Sequence, residues 1–467
     1  MRKRWLLVLL LPALAVVGAA CFLQQKGVTP RALAPYVELR TSGHNGLIEQ
    51  TGHEAASLLT SLDRGTGVPG LAQFPALGAQ QRSLEARIGE RLVATSDEVR
   101  LAVAQANPGD VITLLPGVYR FEHGNVVMTR GGTERANIVL RARQSGTVTI
   151  ELDLGEGFIV NAPWWRFENL LIRGVCKTQA FCEHAFHVVG GGAHFASVNN
   201  TIVDFNAHFK INGSDGKFPD DGRIEANTLR NDSVRATTNP VTPIDLVAAS
   251  RWSVRRNVIS DFIKGSGDHI SYGAFAKGGG ANNVFEQNAI VCESKLHGLP
   301  GQRVGLSLGG GGTGKEYCRD RKCITEQDQG VIRSNLIASC SDDGIYLNNA
   351  AASKIIHNTL VDTGGMQVRY AASSADIEGN LVDGDIRARD GGVVRLDDNH
   401  STAIALLYGG YHPVRSLFDA PHAFNFQWNG TPPRRASSSA LTPDLCGAVR
   451  PAAPVYGAFE DIGACIK

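Results

Sequence analysis

A short pattern built around asparagine recurs along most of the chain. Each copy has an apolar residue, two variable positions, Asn, one variable position and then Ile, Leu or Val, as in IEANTL, VRRNVI, FEQNAI, IRSNLI and IEGNLV. The asparagines of the repeat, including the looser copies FENLLI and VNNTIV, are Asn169, Asn200, Asn227, Asn257, Asn288, Asn335, Asn358 and Asn380. Units this short, rich in β-branched residues and without helical periodicity, cannot each close a core and must stack on their neighbours. The repeat therefore predicts a right-handed parallel β-helix.

Asparagine suits such a repeat for physical reasons. Its amide can hydrogen-bond backbone groups in a tight turn, it tolerates a left-handed φ, and it can stack on the asparagine of the next coil. We therefore interpret the repeated asparagines as structural residues.

The segment before the repeat predicts a cap. In TSDEVRLAVAQANPGDVITLLPGVYRF, Ser96 or Asp97 can serve as the N-cap of an amphipathic helix that runs through Ala106 and covers the open end of the first coil. A Pro-Gly turn and a strand follow.

This segment resembles the start of pectin-lyase-like β-helix proteins, and DLCGAVRPAAPVYGAFEDIG resembles the closing segment of secreted bacterial β-helix proteins. The resemblance covers roughly Glu90 to Lys467 and implies an all-β right-handed parallel β-helix with an N-terminal capping helix. The expected organisation is a signal peptide or lipoprotein signal (1–20), a linker with short helices (21–88), the β-helix (89–400) and a C-terminal cap or tail (401–467).

The N-terminus MRKRWLLVLLLPALAVVGAAC has a basic tip, a short apolar core and small residues, which is typical of an export signal. We expect an exported protein of the periplasm, the outer envelope or the extracellular space. Contact with a membrane is expected only through lipid on Cys21 or through an uncleaved signal.

Composition limits the partners further. A net charge of +1 gives no bulk attraction to nucleic acid, so we expect no nucleic-acid partner and a monomeric protein. Setting Cys21 aside leaves an even number of cysteines, which suits disulfides. Spacing suggests Cys176 with Cys182 and Cys318 with Cys323, repeat position suggests Cys292 with Cys340, and Cys446 with Cys465 would fasten the tail, although other connectivities stay open.

A second strand follows each asparagine turn, and its apolar pairs align as FHV, FKI, IDL, ISY, LSL, IYL, MQV and IRA. Alternation sends the middle residue of each triplet outward, which gives one column: His187, Lys210, Asp245, Ser271, Ser307, Tyr346, Gln367 and Arg387. Flanking positions add His208 and His269 on one side and Asn212, Asn348, Arg369 and Arg389 on the other. Eight coils make this strip about 34 Å long. It suits an acidic sugar oligomer, although a polar solenoid face can also be plain solvated surface.

The stretch SGDHISYGAFAKGGGANNVFEQNAI resembles the coil that carries the catalytic lysine in the chondroitinase B and alginate lyase family. The resemblance implies that Lys277 is the base that removes the proton beside a uronate carboxylate. The calcium ligand positions of that family fall here on Tyr272 and Ile270, so we expect no cofactor. The arginine of the following coil is also displaced, to Arg303.

A metal-free lyase remains as the leading hypothesis. Its base would be His269 or Lys277, its proton donor Tyr346, and Arg303 or Lys210 would hold the carboxylate. The predicted substrate-binding residues are His187, His208, Lys210, Asp245, Arg369 and Arg387.

Three alternatives stay open. Lys277 can simply mark a strand end, and the protein can bind carbohydrate without catalysis. The pair Asp342 and Asp343 in CSDDGIYLNN reads as a turn but faintly resembles the paired aspartates of polygalacturonases, which would suit a hydrolase. An uronate epimerase is the third alternative.

Overall fold

The computed structural model describes residues 18, 22–66, 70, 74–310, 312–438 and 442–465. Its parallel strands form three long sheets, and each complete coil of the chain adds one strand to each sheet in turn. This arrangement is the predicted parallel β-helix.

The three sheets are named A, B and C in the order in which the chain visits them. Sheet A contains Arg91–Val93, Val111–Leu114, Ile138–Ala142, Trp165–Glu168, Ala196–Val198, Arg223–Glu225, Ser253–Arg255, Val284–Glu286, Val331–Arg333, Ser353–Ile356, Ser374–Glu378 and Val393–Asp397. Sheet B contains Gly117–Phe121, Val148–Leu152, Leu171–Gly174, Thr201–Val203, Thr228–Arg230, Val258–Ser260, Ala289–Val291, Leu336–Ala338, Thr359–Val361, Leu381–Val382 and His400–Ser401. Sheet C contains Val126–Met128, Glu156–Val160, His184–Val189, Ala207–Asn212, Ile244–Val247, Ile270–Lys277, Gln302–Leu308, Ile345–Asn348, Gly365–Arg369 and Asp385–Arg389.

Two small sheets complete the strands. A parallel sheet contains Gly280–Ala281, Gln327–Asp328 and Ala350–Ala351, and an antiparallel pair in the tail contains Phe418–Ala420 and Asn425–Trp428. The α-helices with fully described bounds are Pro30–Thr41, Gly46–Arg64, Ser96–Gln105 and Ile404–Leu407; short 3-10 turns span Lys315–Tyr317, Arg415–Leu417, Pro421–Ala423 and Ile462–Cys465. Within the described part of the chain, no helix has the length and apolar character needed to cross a membrane.

The capping helix is Ser96–Gln105, and its N-cap is Thr95 rather than Ser96 or Asp97. The Thr95 hydroxyl accepts a hydrogen bond from the Glu98 backbone N–H at 3.2 Å, which satisfies one of the free donors of the first turn. Val99, Ala102 and Val103 are buried, and the helix packs on the first strands of the three sheets. The helix therefore closes the open end of the apolar interior.

Stacked aromatic rings fill part of that interior. The rings of Phe158, Phe186 and Phe209 lie on successive coils with centroids 5.3 and 5.2 Å apart. All three side chains are fully buried. Because each coil repeats the same inward positions, similar side chains stack on one another from coil to coil. The core is therefore built from contacts between neighbouring coils.

The asparagine repeat forms a continuous ladder at the corner between sheets A and B. At the centre of the ladder, the Asn288 Oδ1 accepts from the backbone N–H and the Nδ2 of Asn257, at 3.0 and 2.9 Å. Asn288 in turn donates its N–H and Nδ2 to the Asn335 Oδ1 at 3.0 and 2.9 Å. The same backbone contact to the next asparagine joins Asn200, Asn227, Asn257, Asn288, Asn335, Asn358, Asn380 and Asn399. The predicted stacking of asparagines is confirmed.

One detail of the predicted turn is wrong. The left-handed φ belongs to the residue before each ladder asparagine, for example Ala226, Arg256 and Gln287, with φ of 54°, 57° and 56°. Asn169 itself has φ of 60° and therefore takes this preceding place, while Leu170 stands where the later coils have asparagine. In the looser copy FENLLI, the ladder position is therefore the residue after its asparagine.

The register of sheet C confirms seven of the eight predicted column positions and corrects one. His187 pairs with Lys210, and Lys210 pairs with Asp245. Asp245 then pairs with Phe275 rather than with Ser271. The strand Ile270–Lys277 has eight residues, so both ISY and AFA fit an apolar alternation, and only the longer-range pairing decides between them.

Four disulfides join the predicted pairs: Cys176 to Cys182, Cys292 to Cys340, Cys318 to Cys323 and Cys446 to Cys465. Cys292 to Cys340 connects equivalent places of adjacent coils, across an insertion between sheet B strands. Cys21 lies outside the described residues.

The first described segment is docked against the β-helix, whereas composition had suggested a linker. The helices Pro30–Thr41 and Gly46–Arg64 pack on each other and form what we call the N-terminal hairpin. Arg31, which is 6% exposed, donates to Asp63 at 3.0 Å, to Asp362 at 3.1 Å and to the carbonyl of Cys340 at 2.6 Å. This buried charge network fixes the hairpin on the corner between sheets B and C.

Candidate active site

A cleft lies where the chain enters sheet C in the later coils. It encloses about 350 Å³. Its lining residues come from neighbouring sheet C strands and the turns before them, and from the first helix of the N-terminal hairpin and the residues just before it: Gly27, Thr29, Ala32, Ile270, Tyr272, Gln302, Val304, Asp342, Asp343, Tyr346, Gly364, Gln367, Arg369, Arg387 and Arg389.

Two adjacent carboxyl groups lie at the inner end of the cleft. Asp343 is 4% exposed and accepts hydrogen bonds from Gln367 Nε2 at 2.6 Å and from Arg387 Nη2 at 3.2 Å. Burial, followed by the neighbouring charge of Asp342, raises the pKa of Asp343 to about 7. Burial also raises the pKa of Asp342. At neutral pH the pair can hold a proton that an exposed aspartate would have lost.

Cationic and phenolic groups lie beside this pair. Arg369 contacts Asp390 and lies 4.7 Å from the ring centroid of Tyr370. Arg389 is exposed and donates to Gln367 Oε1 at 3.3 Å. The Tyr346 hydroxyl accepts from Asn348 Nδ2 at 3.1 Å, and burial raises the pKa of Tyr346. The phenol therefore keeps its proton, which a proton donor needs.

The cleft continues into an open depression of about 520 Å³ at the other end of the same strands. Tyr346 and Arg369 line both spaces, while Asn349 and Tyr370 belong to the depression alone. From Asp343 to Asn349 the chain advances six residues, or about 20 Å. We call the joined spaces the groove; it runs across the stack of coils, along the direction of the strands.

Lys277 borders the depression. A Cβ on Gly310, one of the lining residues, would lie 2.6 Å from Lys277 Cδ and 3.6 Å from its Nζ, so only glycine admits this close approach. The ammonium lies 4.4 Å from the Phe275 ring centroid. Among the described residues no carboxylate pairs with it. By register Lys277 precedes Asn348 by two coils, or about 10 Å.

Two other predicted catalytic residues lie elsewhere. His269 immediately precedes the strand Ile270–Lys277, and Lys277 ends it, so the two residues are eight positions and about 26 Å apart. The His269 Nδ1 lies 3.3 Å from the carbonyl oxygen of Lys264. Arg303 is 1% exposed, and its guanidinium donates to the carbonyls of Leu299, Gly301 and Pro300 at 2.7, 2.9 and 2.8 Å. Its burial argues against contact with a glycan.

The predicted binding residues of the earlier coils form a separate cluster. Lys210 Nζ pairs with Asp245 at 2.7 Å, and His187 contacts Glu156 at 2.8 Å. His208 is fully buried; burial lowers its pKa to about 3, and its Nε2 lies 3.1 Å from the carbonyl oxygen of Arg230. His208 precedes the first inward residue of its strand, at the bend from sheet B, and there its side chain turns inward rather than outward.

The expected strip along the stack is interrupted between the two groups. Phe275 is 5% exposed and Ser307 is fully buried. Phe218 packs against Phe275, and Arg319 lies 4.3 Å from the Phe218 ring centroid. Two loops therefore cover the middle of sheet C, and Lys210 lies four coils, or about 19 Å, from Tyr346.

The residues at the calcium-ligand positions of the chondroitinase B and alginate lyase family do not suit calcium in this chain. The Ile270 side chain offers no oxygen ligand, and Tyr272 is a partly buried phenol whose pKa is raised above its ordinary value by burial. Among the described residues no three His, Cys, Asp or Glu side chains are grouped as metal ligands.

Sequence reasoning assigned only part of the groove. It kept Asp342 and Asp343 as a turn or as the paired aspartates of a hydrolase, and did not include them among the predicted lyase residues. It also missed the wall formed by Gly27, Thr29 and Ala32, for which the sequence carries no local signal.

Comparison with known proteins identifies the fold. The chain matches no protein-family profile and no curated protein sequence. Among solved structures, pectate lyase Pel9A is similar with a TM-score of 0.56 and 14% identity, over 81% of this chain and 97% of that one. A rhamnogalacturonan lyase follows with a TM-score of 0.44 and 12% identity, over 67% and 87% of the two chains. An alginate lyase from Paenibacillus sp. gives 0.33 and 15%, over 67% and 99%.

The stacked parallel sheets, the capping helix and the similarity to pectate lyase Pel9A lead to one conclusion. The chain is a right-handed parallel β-helix protein with the pectin-lyase-like fold.

Proposed function

We propose that the protein is an exported polysaccharide lyase that cleaves uronate-containing glycan by β-elimination in the groove. The observation that carries the proposal is that Tyr346 and Arg369 line the groove, while Lys277 lies against Gly310, another of its lining residues. These are a base, a proton donor and a cation, which are the three groups that β-elimination requires.

Each group has a defined task. Arg369, assisted by Arg389, neutralises the uronate carboxylate and so acidifies the neighbouring C–H bond. Lys277 Nζ takes that proton, the electron pair of the C–H bond forms a carbon–carbon double bond, and the bond to the glycosidic oxygen breaks. Tyr346 gives its proton to the departing oxygen.

The substrate class follows from charge. Arg369, Arg387 and Arg389 all line the cleft, and guanidinium groups bind carboxylates with strong, directed hydrogen bonds. The named activities of pectate lyase, rhamnogalacturonan lyase and alginate lyase belong to the similar structures, and they make acidic glycans the first substrates to test.

Export is part of the proposal. The four disulfides suit an oxidising compartment, and the N-terminal sequence has the form of an export signal. Cell fractionation of the expressing organism, with lipid labelling at Cys21, tests both the compartment and the anchor.

A glycoside hydrolase is the second candidate, because burial raises the pKa of both Asp342 and Asp343. A protonated carboxyl and an ionised one are the acid and base of glycoside hydrolysis.

One experiment separates the two reactions. The purified protein is incubated with pectate, alginate and chondroitin, and the ultraviolet absorbance of the unsaturated product is followed beside the number of new reducing ends. A lyase raises both, whereas a hydrolase raises only the reducing ends. Binding without either signal across the panel contradicts catalysis, and it leaves a carbohydrate-binding protein.

A further inference from the structure

We propose that the groove is blind at its Asp343 end and that the enzyme therefore works from the ends of glycan chains. This inference rests on the proposed function, since it concerns how that groove receives its substrate. The residues that close the groove come from outside the β-helix, from residues 24–32, which we call the N-terminal strap.

The strap lies across the start of the later sheet C strands. Gln24 Nε2 donates to Asp385 Oδ2 at 3.0 Å, and the carbonyl of Gly27 accepts from Arg387. The Tyr408 hydroxyl donates to the carbonyl of Val28 at 3.1 Å. The strap is thus bonded to the last coils and to the C-terminal segment.

Arg31 fastens the other end of the strap. Its partners Cys340 and Asp362 come shortly before two successive sheet C strands, at the corner where the chain leaves sheet B. Thr29 is 2% exposed and lines the cleft together with Gly27 and Ala32. A glycan lying in the groove would meet this wall just beyond Asp343.

Among the residues that the structure describes, none forms such a wall at the opposite end of the groove. The depression there is lined by Gly310, Gly312, Asn349 and Tyr370 and opens outward from the strand ends. A polymer can therefore enter from that side only, with one of its ends toward the strap.

The volume of the cleft limits how many sugar rings can lie between the cleaved bond and the N-terminal strap. The proposed donor and cation, Tyr346 and Arg369, stand at the junction of the two spaces. The cleft beyond them encloses about 350 Å³, near the lower limit of small-molecule sites. It can accept a terminal fragment of one or two sugar rings, and that fragment is the expected product.

The first test is the product pattern on a polymeric substrate that the protein cleaves. Chain-end action releases one short product from the first minutes, while the viscosity of the solution falls slowly. A rapid fall in viscosity with a ladder of long oligomers overturns the inference and leaves the lyase assignment intact.

A binding series makes the test independent of turnover. Oligomers of galacturonate, mannuronate and guluronate of increasing length are titrated into the protein by calorimetry. The affinity is expected to reach a plateau once the cleft and the depression are filled. A continued rise with length overturns the blind groove, and the absence of binding by every acidic oligomer overturns both this inference and the proposed function.

A pair of variants locates the wall. Ala32→Trp places a bulky ring in the blind end and is expected to weaken binding of the shortest oligomers at least tenfold. Leu39→Trp, on the same helix and 73% exposed, is the matched control and should change nothing. Equal behaviour of both variants and the unaltered protein overturns the assignment of the strap as the wall.

Discussion

Two corners of the β-helix use polar side chains in opposite ways. At the corner between sheets A and B, each ladder asparagine is bonded to the next, and the ladder contains no group that titrates. From the corner between sheets B and C, carboxyl, guanidinium and phenol groups line a groove along the sheet C strands, and the pKa values of Asp342, Asp343 and Tyr346 are raised by burial. The difference separates side chains that stabilise the stack from side chains that can act on another molecule.

The largest effect should come from the proposed catalytic groups. We expect Lys277→Met and Tyr346→Phe each to lower kcat by roughly 10² to 10⁴-fold, because each removes a proton-transfer group. The thermal midpoint should stay close to that of the unaltered protein, because neither side chain belongs to the asparagine ladder or to the buried charge network of Arg31. Measurement of initial rates beside thermal unfolding checks both statements, and full activity in the Lys277 variant would remove that residue from the mechanism.

A substitution in the asparagine ladder should lower stability and leave kcat unchanged, the reverse of the catalytic variants. Asn288→Ala removes side-chain bonds to Asn257, Asn335 and the carbonyl of Val254 and leaves their buried partners unpaired. We expect a loss of about 3 kcal/mol in the free energy of unfolding, with kcat retained in the folded fraction. Urea unfolding gives the value, and exposed Asn429→Ala is the control. A loss below that of the control would show that the ladder contributes little.

A pH series should distinguish the two corners further. The raised pKa of Asp343, about 7 in the folded protein, means that the folded state binds the proton more tightly than the unfolded chain does. The contribution of Asp343 to stability is therefore present below about pH 4 and falls as the pH rises toward 7, by a few kcal/mol at most.

Asp343→Asn should remove this part of the pH dependence, because the amide does not titrate. Urea unfolding between about pH 4 and about pH 8 measures how the free energy of unfolding changes with pH. This range spans the ordinary pKa of an aspartate and the raised pKa of Asp343. An identical slope in the variant would mean that Asp343 titrates normally.

The smallest effect is expected at His269. His269 has φ of 55°, a conformation that asparagine also accepts, so His269→Asn should fold normally. Because about 26 Å separates His269 from Lys277, activity should remain within about twofold across the pH range. A loss comparable to that of the Lys277 variant would restore His269 as the base.

Much of the scaffold was predictable from the sequence because its signals are local and repeated. The asparagine spacing predicted the ladder from Asn200 onward, and cysteine spacing and repeat position gave the four disulfides. The register error in sheet C, at Ser271, arose because two triplets of one long strand have the same apolar alternation. In the structure Ser271 pairs with Arg303 of the next coil, and Phe275 pairs with Ser307, so Phe275 takes the column position.

The groove was less predictable because it depends on contacts between distant residues. Arg31 and Asp362 are 331 positions apart, and no short motif announces such a pair. His208 was predicted to be accessible from strand alternation, yet it lies buried at a bend. Arg303 was predicted from the family resemblance, yet its side chain is buried among the carbonyl groups of the loop before its strand. Alternation predicts faces well inside a strand and poorly at its first residues.

The interval between Asn288 and Asn335 is the longest between ladder asparagines, and the ladder bonds across it are as short as elsewhere. The inserted chain includes Gly310 and Gly312, which form the open side of the groove. A long loop between two coils therefore does not disturb the alignment of their strands. Substrate range can be redesigned by lengthening or exchanging that one insertion, while the remaining coils keep their sequence.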